Sequence, residues 1–70
     1  MRLVKIPAGK NVERWINADL VTEIILSPRG YGEPGIEVSL QFGEYYIELR
    51  FRDRKAGMDL IHEIAGEIKA

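Results

Sequence analysis

The segment Ile36-Glu37-Val38-Ser39-Leu40-Gln41-Phe42-Gly43-Glu44-Tyr45-Tyr46-Ile47-Glu48-Leu49-Arg50-Phe51-Arg52 alternates apolar and polar residues on either side of Gly43-Glu44. A period of two marks a half-buried strand. Glycine tolerates positive φ, so Gly43-Glu44 suits a two-residue hairpin turn. Counting outward from that turn sets Phe42 against Tyr45, Leu40 against Ile47, Val38 against Leu49 and Ile36 against Phe51, which makes one face wholly apolar. The other face sets Gln41 against Tyr46, Ser39 against Glu48 and Glu37 against Arg50, the last an opposite-charge pair. A slip of one residue would turn every apolar side chain into water, so the register is strongly specified.

Upstream of the hairpin, Leu20 to Ser27 has strand character. Its parity directs Leu20, Ile24 and Leu26 to one side and Val21, Glu23 and Ile25 to the other. Pro28 ends the strand, and Pro28 to Gly35 reads as a loop from its glycines and prolines. Arg2 to Ile6 and Val12 to Ile16 form two short strands around Pro7-Ala8-Gly9-Lys10-Asn11, with Asn17-Ala18-Asp19 a turn or bulge before the next strand. Downstream, Asp53 is placed to cap a helix from Arg54 to about Ile68. Gly57, Leu60, Ile61, Ile64, Ala65 and Ile68 recur at three- and four-residue spacings, and Asp59, Glu63, Glu67 and Lys69 supply the wet side. Gly57 and Gly66 each cost about 1 kcal/mol of helix propensity relative to alanine, so the helix depends on its docking surface.

These elements predict an α+β fold: a small antiparallel β-meander of four to five strands with one C-terminal α-helix packed on one face. Seventy residues support a single core, hence one domain over 1–70. The 46% hydrophobic content, beside 30% charge, separates the chain from disordered compositions. No charged leader with an apolar stretch opens the sequence, and its longest apolar run is Ile24-Ile25-Leu26, far short of the roughly 20 residues of a spanning helix. The expectation is a soluble, cytoplasmic protein without membrane insertion.

Ten basic residues against eleven acidic ones give a net charge of -1, so an anionic partner would have to meet a local patch rather than a global field. With no cysteine and one histidine, thiolate chemistry and most zinc sites fall away, and no metal or cofactor is expected. His62 points away from the apolar stripe on a helical wheel, toward solvent rather than a catalytic cleft. Ser27, Ser39 and Thr22 lie in strands without a recognisable base beside them. Gly30 to Gly35 lacks the strand-loop-helix setting of a phosphate-binding loop and precedes a strand instead. No catalytic residue is expected.

Two surfaces remain. Arg50, Arg52, Arg54 and Lys55 crowd the junction of the last strand and the helix, and Arg54 and Lys55 oppose the helix dipole. An anion there, nucleic acid or a nucleotide-like ligand, would explain them, with Tyr31 at the tip of the glycine-rich loop as a further contact. The plainer reading pairs Arg50 with Glu37, gives Asp53 the capping role and leaves Arg54 and Lys55 in solvent. The second surface is the sheet face away from the helix, where strand parity gathers Trp15, Val21, Ile25 and Tyr46. A chain this short rarely gains more than about 3 to 5 kcal/mol from its own core without staples, so a homodimer covering that face is physically attractive.

Asn17-Ala18-Asp19-Leu20-Val21 with Ile24, then Val38, Leu40, Gly43 and Tyr46, and the apolar C-terminal helix, resemble the small flagellar FlbD family, also called SwrD. Gly9-Lys10 sits where that family commonly has a glycine-lysine turn, while Trp15 and the Pro28 to Gly35 loop depart from its pattern. The resemblance implies a non-enzymatic cytoplasmic accessory protein acting in motor function or swarming through protein contacts. The leading expectation is thus a protein-interaction module, with the anion-binding module as its alternative.

Overall fold

The structure, a computed structural model, describes residues 1–30 and 32–66. Tyr31 and the predicted helix positions Glu67, Ile68 and Lys69 lie outside the described residues. The elements run β1 (Leu3–Ile6), β2 (Arg14–Asn17), a 3-10 turn (Ala18–Leu20), β3 (Glu23–Pro28), β4 (Ile36–Phe42), β5 (Tyr45–Phe51) and α1 (Arg54–Ala65). All strand pairs are antiparallel, and one helix closes the described chain, so the fold is the small α+β class that the pattern predicts. The strands divide into two sheets, β1-β2 and β3-β4-β5, rather than one continuous meander.

The β4-β5 hairpin adopts the predicted register throughout, from Phe42 opposite Tyr45 to Ile36 opposite Phe51. Gly43 has φ 66°, the left-handed value the turn requires. Phe42 and Tyr45 stack beside the turn with centroids 5.4 Å apart. Further along, Val38 and Leu40 are wholly buried, because β4 is the central strand and lies beneath α1.

The division into two sheets is made by residues 17–22. Asn17 accepts a hydrogen bond from the Asp19 N–H through its side chain and so caps the 3-10 turn. The Ala18 N–H donates to the Arg2 carbonyl, closing the first ladder, and the Thr22 N–H donates to the Gln41 carbonyl, opening the second. The predicted strand from Leu20 therefore starts at Glu23: Leu20 is in the 3-10 turn and exposed. Strand parity does not extend through such a turn, which is why Val21, expected opposite the helix, is half-buried and packs against the core instead. Pro28, expected to end β3, is its last residue, opposite Ile36.

Asp53 caps α1 as predicted, accepting from the Lys55 N–H at 3.0 Å. Gly57, Leu60, Ile61 and Ile64 are buried, whereas Ala65, expected in the same stripe, is exposed in the last turn. Gly66 ends the helix with φ 79° and donates its N–H to the His62 carbonyl. Val4, Ile6 and Ile16 turn inward from the two-stranded sheet, so the core joins both sheets to the helix.

Candidate functional site

The helix contacts β4 and β5 and leaves β3 to one side. On the helix-facing side of β3, Ile24 sits opposite Leu40 and Leu26 opposite Val38, yet Ile24 is only half-buried and Leu26 is 37% exposed. Between them and Met58, Ile61 and Ile64 of α1 runs a groove of about 630 Å³. The sheet and helix are two apolar surfaces of unequal width: a three-stranded sheet under one 12-residue helix leaves its outermost strand partly uncovered.

Arg2 and Asp19 also line this groove. The Arg2 guanidinium donates through Nη2 to the Ile64 carbonyl at 2.7 Å and through Nε to Asp19 Oδ1 at 3.1 Å. It satisfies a carbonyl of the last helical turn and places positive charge at the negative end of the helix dipole. The side-chain hydrogen bond from Arg2 holds the Asp19 carboxyl below its ordinary value of 3.8, outweighing the opposing desolvation, and the Arg2 main-chain N–H adds to the same effect. Arg2 and Asp19 thus satisfy each other and the helix end, which is a structural arrangement.

The sheet-face residues do not form one patch. Ile25 and Tyr46 share the face of β3-β4-β5 away from the helix, at 44% and 57% exposure, but β4 separates them, with Ser39 and Gln41 between. Trp15 belongs to the two-stranded sheet; it is 53% exposed, with Lys5 Nζ 6.0 Å from its ring centre. Val21 lines the groove on the helix side. The sequence set therefore splits into three places. What it missed is the groove itself and Leu26, whose exposure follows from where the helix lies and not from local parity.

At the basic junction, Arg50 pairs with Glu37 at 3.6 Å and Lys55 with Asp59 at 3.1 Å, four residues on in the helix. Lys55 and Asp59 are both exposed, and Arg50 is exposed beside a half-buried Glu37, so both pairs are weak, but they occupy two of the four cations. Arg52 is exposed, and Arg54 borders a shallow recess of about 360 Å³ beside Pro28 and Gly35. His62 lies exposed on the helix, and no group of three or more His, Cys, Asp or Glu side chains is arranged to hold a metal ion among the described residues. No helix among those residues is long and apolar enough to cross a membrane. Comparison with known proteins finds no matching family model, no matching curated protein and no matching solved structure.

Proposed function

We propose that this chain is a non-enzymatic protein-interaction module that acts through its sheet and associates with itself. The observation supporting this reading is β3, an outermost strand that presents Ile25 on one face and Leu26 on the other, both substantially in water, beside an apolar groove. Edge strands with exposed apolar side chains promote pairing with another chain. A net charge of -1 sets up little repulsion between copies. The resemblance to the FlbD family extends the reading to a cytoplasmic accessory role in flagellar function, exerted by protein contact. With Arg50 and Lys55 engaged by carboxylates, the anion-binding reading is left with less unpaired charge and ranks second.

Light scattering coupled to size-exclusion chromatography tests the module directly. A dimer at micromolar concentration is expected, and a strict monomer at all accessible concentrations removes self-association. Swarming by a strain lacking the gene tests the accessory role: loss restored by the wild-type gene is expected, and unaltered motility removes it.

A further inference from the structure

The β3-β4-β5 sheet has two outer strands, and they differ. β5 carries Glu48 and Arg50 on its outward face and runs into Arg52-Asp53-Arg54-Lys55. From Glu23 to Ser27, β3 contains no lysine, arginine or proline, and its register with β4 is continuous, without a bulge. Those are the devices that ordinarily prevent edge pairing. Pro28, which has no N–H to donate, limits an added ladder on that side to the five residues before it.

The residues of β3 also restrict what fits against them. When a strand pairs with its own copy about a twofold axis normal to the sheet, faces are preserved, so residues placed opposite each other share parity. With Ile25 on the axis, Ile25 meets Ile25 of the second copy on one face. On the other, Ile24 meets Leu26 of the second copy, twice over by symmetry. Glu23, the one charge in the stretch, meets the Ser27 hydroxyl, and no like charges are opposed. Centring on Ile24 sets Glu23 against Ile25, and centring on Leu26 sets Ile25 against Ser27 and Ile24 against Pro28. Of these three registers, the one centred on Ile25 matches all three apolar residues with apolar residues.

We infer that two copies of this chain join by antiparallel pairing of β3 with β3, centred on Ile25, to make one six-stranded sheet. The inference rests on the self-association proposed above and assigns its interface. Both helices then lie on the same side of the joined sheet, and the two grooves lie side by side at the seam.

Because the sequence has no cysteine, single cysteines report position without background. Ile25→Cys, treated with a short bismaleimide, is expected to give a covalent dimer. Tyr46→Cys, on the same face but two strands away, is expected to give little. Ile25→Lys, with helix and sheet content checked by circular dichroism, is expected to be monomeric where the wild type is dimeric; if that variant does not fold, the cysteine comparison decides. A wild-type dimer that fails to cross-link at position 25, cross-links as well at 46, or survives Ile25→Lys, overturns the β3 interface and leaves self-association standing. A wild-type protein that stays monomeric at all concentrations overturns both.

Discussion

Two glycines show how one amino-acid type serves different physical ends. Gly43 and Gly35 both have positive φ, 66° and 98°. At Gly43 nothing lies within 4 Å of where a β-carbon would stand, whereas at Gly35 it would run into the Phe51 carbonyl oxygen and the Arg52 α-carbon, main-chain atoms that cannot rotate aside. Gly43→Ala is therefore expected to cost about 1 kcal/mol, the left-handed penalty alone. Gly35→Ala adds displacement of backbone and is expected to cost more than about 3 kcal/mol, both read from urea unfolding midpoints. Asp19 supplies a pH signature instead. Its carboxyl sits below 3.8, so the folded state binds fewer protons than the unfolded one in acid, and the stabilisation by Arg2 is present above about pH 4 and lost as pH falls through the folded value. Asp19→Asn should flatten that part of a plot of thermal midpoint against pH; an unchanged acid limb would mean the pairing is energetically silent. The sequence shows Asp19 as part of a turn, but its partner Arg2 lies 17 residues away, and nothing local announces that pairing.

At the scale of elements, α1 is short and starts badly: its first turn holds no acid, and two cations oppose the dipole. A 12-residue helix is marginal in isolation, so cap and docking face must both contribute. Asp53→Ala removes the acceptor for the Lys55 N–H and is expected to lower stability by about 1 kcal/mol with an unchanged denaturant slope. The hairpin and this helix were legible because each carries its own period and its own terminator: alternation about Gly43, a three-to-four stripe between Asp53 and Gly66. β3 was legible only from Glu23 onward. Asn17 has a short side chain that bonds two residues ahead, which turned three residues into 3-10 helix and reset the parity on which the placement of Val21 depended. The division into two sheets could not be read for a related reason: alternation predicts that a strand is half-buried but says nothing about which strand pairs with which.

For the molecule as a whole, the limit is size. Eleven apolar side chains are buried among the described residues, and a domain of this length has a stability of only about 4 to 10 kcal/mol. Leu40, wholly buried at the centre of β4, is the test of that margin: Leu40→Ala is expected to cost about 2 to 5 kcal/mol, enough to leave a large unfolded fraction at 37 °C by circular dichroism. A chain so close to its threshold gains from any contact made only by the folded state. Pairing through β3 is such a contact, because the ladder and the matched faces exist only when Glu23–Ser27 is already held beside β4. Association then stabilises by mass action, and the thermal midpoint must rise with protein concentration. A midpoint that rises between dilute and hundredfold more concentrated solutions is expected for the wild type and for Tyr46→Cys under reducing conditions. Ile25→Lys should show a flat dependence at a lower midpoint. A flat wild-type response would mean that the folded monomer carries its full stability alone and that the exposure of Ile25 and Leu26 is simply tolerated.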